Sequence, residues 1–225
     1  MISQKKRMQL VLTLLKEHYP EAHCSLRFSN AFELLMATIL SAQCTDERVN
    51  RVTVKLFEKF PHPEAMAKAN IHELEKILRP LGYFKSKARF LRNTAEMLWT
   101  QYQSEVPSSL ENLVKLHGVG RKTANVVLGV WFQVPSMVVD THVKRLSLRL
   151  GFTRSKNPVT IERELMIIVP RSDWSLLGHL WIAHGRKICV ARKPKCHHCF
   201  LNALCEKATV SEVKPEALRL HTSRR

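Results

Sequence analysis

Four cysteines lie close together in the last fifth of the sequence. They are Cys189, Cys196, Cys199 and Cys205. Thiolates are soft ligands, and four of them in one short segment suit either a tetrahedral zinc ion or an iron–sulfur cluster. Common zinc modules pair two Cys-x-x-Cys turns across a longer spacer, whereas this segment has one such pair and uneven spacing. The spacing therefore predicts a metal site and leaves both kinds of centre open, with His197 and His198 as possible alternative ligands.

A glycine-containing turn followed by two basic residues is the second segment that could carry chemistry. Gly118 and Gly120 allow positive φ and a close approach of the backbone to another molecule. Unpaired N–H groups at the start of the next helix would bind phosphate, and Arg121 and Lys122 add positive charge. The same glycines would serve an ordinary tight turn, but apolar residues on both sides favour a rigid phosphate-binding hairpin. Its predicted contacts are His117, Gly118, Val119, Gly120 and Arg121.

Lys122 and Asp140 have the residue types needed for amine-based catalysis. An amine nucleophile must be neutral, and a helix N-terminus with an adjacent Arg121 disfavours the ammonium form. Such an amine could attack a sugar carbon and form a Schiff base, while a carboxylate could position it and stabilise a cationic sugar. Two simpler roles stay open: Lys122 as a phosphate-binding cation, and Asp140 as the N-cap of a helix that begins near Thr141.

Helical periodicity extends along most of the chain. Apolar residues recur at i, i+3, i+4 and i+7 over 8–15 and 32–40, and strand-like alternation bounded by hairpin turns is absent. The sequence therefore predicts an all-α fold. Further helices are predicted over 121–132, 142–150, 159–168 and 173–188.

The charge is strongly positive, with 36 Lys and Arg against 19 Asp and Glu and a net charge of +17. This excess favours polyanionic partners, with nucleic acid first and an anionic membrane surface second. No run of about 18 apolar residues is present, so we expect no membrane span. The first residues lack the apolar core of a signal peptide. We therefore expect a reducing, intracellular compartment.

The hairpin and the cysteine segment together resemble a known family. Residues 116–124 are similar to the helix-hairpin-helix motif of DNA glycosylases, Leu-Pro-Gly-Val-Gly-x-Lys-Thr-Ala, with His117 in place of proline. The cysteine spacing resembles the [4Fe–4S] loop of the endonuclease III family. The resemblance covers about residues 5–207 and implies two helical lobes that flank a DNA-binding groove. It implies a six-helix barrel over 22–133 and a cluster domain that combines 1–21 with 134–225. A [4Fe–4S] cluster held by the four cysteines is then preferred over zinc.

The resemblance also implies a reaction. The family's Schiff-base lysine and catalytic aspartate fall on Lys122 and Asp140. The expected enzyme is a bifunctional glycosylase and AP lyase that removes oxidised pyrimidines from duplex DNA and cuts the strand 3′ to the abasic site by β-elimination. The alternatives are a monofunctional mismatch glycosylase, whose relatives have serine or tyrosine at position 122, and a non-catalytic DNA-binding module. We expect a monomer that acts on the nucleoid in a prokaryotic cytoplasm.

The resemblance assigns residues to the extrusion of the damaged nucleotide. Residues 40–46 resemble the family segment Leu-Ser-Ala-Gln-Ala-Thr-Asp, whose glutamine fills the gap in the base stack, so this role falls on Gln43. Tyr83 occupies the position of a second family wedge, usually leucine, and its ring could stack on the unpaired base. Further predicted DNA contacts are Lys85, Lys87, His142, Arg192, Lys193 and Lys195.

Overall fold

The computed structural model describes residues 2–207, and within them the regular structure is entirely helical. This confirms the predicted all-α fold. The α-helices are α1 (Gln4–His18), α2 (Ala31–Leu40), α3 (Asp46–Lys59), α4 (Pro63–Ala67), α5 (Ile71–Leu78), α6 (Phe84–Gln101), α7 (Leu110–Leu113), α8 (Arg121–Val130), α9 (Thr141–Leu150), α10 (Pro158–Ile168) and α11 (Trp174–Lys187). Short 3-10 turns lie at Arg171–Asp173, Cys196–His198 and Asn202–Leu204. No helix in this part of the chain has the length and apolarity to span a bilayer.

The contacts between residues divide the chain into two compact units. Cys24–Val138 forms the first, and Met1–His23 together with the chain from Val139 onward forms the second. We call them the central unit and the terminal unit. The domain limits predicted from the sequence are 22–133 and 1–21 with 134–225, and residues 208–225 of the latter lie outside the described residues.

The central unit is built around α2, which packs against α3, α6 and α8. Eight of the ten residues of α2 are buried, so this helix is apolar on all sides, as a central core helix should be. Its entry is fixed by Asn30, whose side chain accepts a hydrogen bond from the Glu33 N–H at 2.9 Å. The longest helix, α6, packs along α4 and α5. The core of this unit therefore supports the start of α6, where the sequence predicts DNA contacts at Tyr83, Lys85 and Lys87.

The terminal unit joins the first helix of the chain to the last ones. α1 packs on α10 and α11, and α9 packs on the same two helices. Trp181 of α11 is fully buried, and Arg7 of α1 places its guanidinium 4.6 Å from the centre of the Phe152 ring. Burial of each large apolar side chain contributes roughly 1.5–3 kcal/mol. This packing fixes α9, which begins at the predicted Asp140 and carries His142, and α11, whose end leads into the cysteine loop.

Candidate nucleic-acid-processing site

The predicted hairpin is present between α7 and α8 of the central unit. Gly118 has φ +73°, and a Cβ added there would lie 2.9 Å from Cγ of Phe90 on α6. Only glycine tolerates both conditions. Thr94, also on α6, donates a hydrogen bond from its hydroxyl to the His117 carbonyl at 2.5 Å. The sequence does not predict the role of Phe90 and Thr94, because that role depends on the packing of α6 against the turn.

The predicted contacts of the hairpin have different environments. Gly120 is the N-cap of α8 and supplies no capping side chain, so the first N–H groups of the helix lack a side-chain cap. His117, Gly118, Gly120 and Arg121 are exposed. Val119 is buried, and its N–H donates to the Leu116 carbonyl at 3.2 Å. The prediction of Val119 as a DNA contact is therefore corrected: this residue supports the turn from inside.

Lys122 is the second residue of α8 and is exposed. Among the described residues, its amine has no hydrogen-bond or ion-pair partner. The neighbouring Lys115 differs, because its amine donates to the Glu111 carboxylate at 3.1 Å. A lysine at the start of a helix whose amide groups lack a side-chain cap is well placed for chemistry on an anionic substrate.

Asp140 is the N-cap of α9 in the terminal unit. Its carboxylate accepts a hydrogen bond from the Val143 N–H at 2.8 Å, so the N-cap role considered from the sequence is present. The side chain is half-buried. Burial lowers the pKa of the half-buried His179 on α11, as does the charge of His23, whereas the Asp140 carboxylate opposes this shift. Asp140 is thus held in place at one oxygen and lies within electrostatic range of a histidine that sequence analysis missed.

Two exposed residues of the central unit adopt left-handed backbone conformations. Gln43, in the turn between α2 and α3, has φ +53°, and Tyr83, the N-cap of α6, has φ +58°. Tyr83 is 69% exposed, although it carries a large ring. Positive φ is uncommon for residues other than glycine and is costly for bulky ones. The fold therefore holds both predicted DNA-inserting side chains at strained turns that project them outward.

The two lysines that follow Tyr83 have opposite environments. Lys85 is exposed, whereas Lys87 is only 4% exposed and its amine has no hydrogen-bond partner. Burial lowers the pKa of Lys87, and the Cys44 thiol opposes that shift by favouring the charged form. The prediction that Lys87 offers a charge to the DNA backbone is therefore corrected, because its ammonium group does not reach the surface.

The four clustered cysteines of the terminal unit surround one cavity of about 240 Å³. Its other walls include the apolar side chains of Leu146, Leu150, Ile188 and Leu201, together with polar residues such as Arg149 and His184. His197 and His198 are exposed and do not line it. Burial raises the pKa of Cys199 to about 11 and raises that of Cys205. Metal binding must therefore displace thiol protons, as is usual for thiolate ligands.

The cavity fits a polynuclear cluster. No three His, Cys, Asp or Glu side chains between residues 2 and 207 form a group that could hold one metal ion. The four cysteines instead line a cavity of about 240 Å³, which is far larger than a single ion. Arg149 donates from Nη1 towards the Cys189 sulfur at 3.3 Å, and His184 Nε2 lies 3.5 Å from the Cys199 sulfur. Such hydrogen bonds stabilise thiolate ligands.

Arg149 of α9 also fixes the basic loop between the first two cysteines. Its guanidinium donates to the carbonyls of Val190 and Ala191, each at 2.8 Å. The loop exposes the three cations predicted to contact DNA, Arg192, Lys193 and Lys195. A basic loop that is already held by hydrogen bonds loses less entropy on binding a phosphate backbone than a free loop would.

His142 is held by a second arginine of α9. Arg145 Nη2 lies 3.1 Å from both His142 Nδ1 and the Gly185 carbonyl, and its Nε donates to the Cys189 carbonyl. Because a guanidinium only donates, Nδ1 of His142 is the acceptor. A Cβ on Gly185 would lie 2.6 Å from that nitrogen, so the site requires glycine there. The arrangement connects His142 to the cysteine loop.

Comparisons with known proteins agree with this geometry. Residues 36–171 match the model of the HhH-GPD superfamily of base excision DNA repair proteins, and residues 189–205 match the iron-sulfur binding domain of endonuclease III. Endonuclease III of Synechocystis sp. is 46% identical over 94% of this chain and 97% of its own length. The chain belongs to the endonuclease III family. Endonuclease III of Bacillus subtilis is 43% identical over 93% of this chain and 96% of its own.

Solved structures extend the comparison to the fold. A trapped endonuclease III–DNA covalent intermediate has a TM-score of 0.87 and 44% identity, and it covers 92% of this chain and 98% of that one. A thermostable thymine-DNA glycosylase has a TM-score of 0.81 at 23% identity, which shows the shared fold alone. As a member of this family, the protein is a DNA glycosylase and AP lyase of base excision repair that carries a [4Fe–4S] cluster. The predicted family, activity and cofactor are confirmed.

Proposed function

We propose that this member of the endonuclease III family removes oxidised pyrimidines from duplex DNA, with Lys122 as its nucleophile, and cuts the strand 3′ to the resulting abasic site. The observation that carries the proposal is the exposed Lys122 amine, without a partner among the described residues, at the start of α8. The trapped covalent complex of a protein 44% identical to this one supports a covalent route. Lysine at this position counts against a monofunctional mismatch glycosylase.

The proposed reaction begins with extrusion of the damaged nucleotide from the base stack. The neutral Lys122 amine attacks C1′, and the N-glycosidic bond breaks as the Nζ–C1′ bond forms. The departing base takes a proton. Asp140 stabilises the positive charge that develops on the sugar and accepts the proton released by the amine. The sugar ring opens to a protonated imine, C2′ loses a proton, and the 3′ phosphate leaves by β-elimination.

We propose that the strained turns supply the contacts that keep the nucleotide out of the helix. Gln43 fills the space left by the extruded base, and the Tyr83 ring stacks on the base that has lost its partner. The backbone N–H groups of the hairpin bind phosphate oxygens near the lesion. The remaining proposed contacts are Lys85, His117, Gly118, Gly120, Arg121, His142, Arg192, Lys193 and Lys195.

We propose that the four cysteines lining the 240 Å³ cavity hold the cluster. When bound, the cluster supplies four strong covalent links that hold the chain between residues 189 and 205. Its role in the reaction is positioning, because base removal and elimination transfer no electrons. We further propose a monomer that acts on chromosomal DNA in a prokaryotic cytoplasm. Bacterial relatives support this setting.

Borohydride trapping on a panel of duplexes tests the proposed function. The panel contains an oxidised pyrimidine, a normal abasic site and a mismatch. We expect the wild type to form covalent adducts with the first two and to nick both. Lys122→Ala should form no adduct and retain DNA binding within a few-fold. Lys115→Ala, which alters an exposed lysine close to the same hairpin, should behave as the wild type. Normal strand cleavage by Lys122→Ala would refute the proposal.

A further inference from the structure

A buried chain of hydrogen bonds reaches one of the cysteines from α1. The Tyr19 hydroxyl lies 3.1 Å from Nδ1 of His184, and Nε2 of the same ring lies 3.5 Å from the Cys199 sulfur. His184 is 2% exposed and Tyr19 is also buried. Neither residue takes part in the reaction described above. Burial of a polar group costs free energy unless hydrogen bonds compensate for it, so a buried polar chain of this kind calls for an explanation.

The direction of donation in this chain follows from the chemistry of its members. A neutral imidazole has one N–H and one acceptor nitrogen. A cluster ligand is a thiolate and can only accept, so Nε2 carries the hydrogen and donates it to Cys199. Nδ1 is then the acceptor, and the Tyr19 O–H must donate to it. Each hydrogen bond polarises the next, so the hydroxyl strengthens the N–H donor.

Aromatic packing keeps this chain away from solvent. The Phe200 ring, which follows Cys199 directly, lies 5.0 Å from the His184 ring and 5.9 Å from the Tyr19 ring. His18 also stacks on Phe200, with ring centres 3.8 Å apart. Because low polarity strengthens hydrogen bonds to a charged acceptor, the enclosed chain acts more strongly on the sulfur than an exposed one would.

We propose that Tyr19 and His184 form a relay that withdraws electron density from the Cys199 ligand and thereby raises the reduction potential of the cluster. Hydrogen bonds to thiolate ligands stabilise the more negative, reduced cluster, and they are a main determinant of its potential. Tyr19 and His184 are positioning residues that act through Cys199. The inference rests on the proposed ligand role of Cys199 and is independent of the lysine chemistry.

The relay is tested on the purified holoprotein with Tyr19→Phe, which removes the hydroxyl and keeps the ring. We expect this variant to retain the wild-type iron content and to show a lower reduction potential in protein-film voltammetry. Resonance Raman spectra should show a smaller solvent-deuterium shift of the Fe–S(Cys) vibrations than in the wild type, because the N–H···S bond is weaker. His184→Phe should lower the potential further.

The double variant provides the sharpest test. Because Tyr19 acts only through His184, the effects of the two substitutions on the reduction potential should not add. In the His184→Phe background, Tyr19→Phe should leave the potential unchanged. Tyr102→Phe, a matched change in the central unit, should match the wild type throughout. A Tyr19→Phe protein with wild-type potential and deuterium shift would overturn the relay, even if it were less stable. These readouts involve no DNA, so a failure of the proposed glycosylase reaction would be seen separately in the trapping assay.

Discussion

At the scale of single residues, the structure assigns two properties to Asp140. It caps α9 through one carboxylate oxygen, and its charge acts on His179. The sequence allows both a capping and a catalytic role for this residue. The capping hydrogen bond involves one carboxylate oxygen, so the capping role does not exclude the catalytic one. His179 was not predicted, because nothing in the sequence shows that this part of α11 lies near the start of α9.

Two substitutions of Asp140 separate the structural role from the catalytic one. Asparagine is as good an N-cap as aspartate, so Asp140→Asn should unfold within about 0.5 kcal/mol of the wild type and yet lose most base-excision activity. Asp140→Ala should lose activity and also about 1 kcal/mol of stability. Urea unfolding and a single-turnover excision assay measure the two effects. An Asp140→Asn enzyme with wild-type excision would contradict the catalytic assignment.

Lys87 shows where the residue-level interpretation of the sequence was wrong. By the helical repeat, Lys87 shares one face of α6 with Leu91, Thr94 and Leu98, and all four residues are buried. The helical periodicity of α6 therefore predicts that Lys87 is buried, but the basic residues around it favoured the prediction of a surface role. A buried amine destabilises the fold unless new interactions compensate for its lost hydration, and desolvation outweighs the favourable effect of Cys44 at Lys87.

Lys87→Met should therefore increase the free energy of unfolding by about 1 kcal/mol or more, because the apolar stem stays and the unpaired amine is removed. Lys85→Met, two positions away on the exposed face, should change it by less than about 0.5 kcal/mol. Urea unfolding monitored by circular dichroism measures both variants. A Lys87→Met protein less stable than the wild type would show that the amine has a stabilising partner.

At the scale of elements, the helices were the most predictable part of the molecule. The predicted ranges 121–132, 142–150 and 159–168 correspond to α8 (Arg121–Val130), α9 (Thr141–Leu150) and α10 (Pro158–Ile168). Capping residues and apolar periodicity act locally, so the sequence contains them. α4 (Pro63–Ala67) was not predicted, because five residues are too few to show a period. The supports of the hairpin, Phe90 and Thr94, depend on tertiary packing and left no local signal.

The hairpin gives a matched pair of glycine substitutions. Gly118→Ala places a Cβ 2.9 Å from Phe90 at φ +73°, so we expect a loss of about 1–2 kcal/mol of stability and weaker DNA binding. At Gly120, no atom lies within 4 Å of an added Cβ and φ is −88°, so Gly120→Ala should unfold within about 0.5 kcal/mol of the wild type. Chemical denaturation measures both. Equal stabilities of the two variants would contradict the proposed close approach of the turn to α6.

At the scale of the whole molecule, the apolar core of the central unit contrasts with the sparse regular structure around the cysteines of the terminal unit. The central unit has a continuous apolar core of its own, whereas the segment from residue 188 to residue 207 in the terminal unit has only two 3-10 turns of regular structure. If the cluster binds there as proposed, it holds this segment together with the hydrogen bonds from Arg149. The net charge of +17 predicted a polyanionic partner from composition alone, and the similarity to DNA-bound endonuclease III structures agrees with it.

Removal of the cluster should affect the two units unequally. After oxidative loss of iron under chelation, we expect amide hydrogens over 188–207 and in α9 to exchange much faster, because Arg149 loses its partners in the loop. Amides of α2 and α6 should keep their protection, since their core contains no cluster ligand. Hydrogen-exchange mass spectrometry resolves these regions. Faster exchange in α2 or α6 than in the 188–207 segment would contradict the independence of the central core.

The most direct test of the central claim is the location of the covalent bond to DNA. The adduct formed with an abasic duplex is reduced by borohydride, digested with nuclease and protease, and sequenced by tandem mass spectrometry. We predict that the sugar remnant is attached to Nζ of Lys122. Attachment to any other lysine or to the N-terminal amine would contradict the assignment, and so would a borohydride-stable adduct of normal yield in Lys122→Ala.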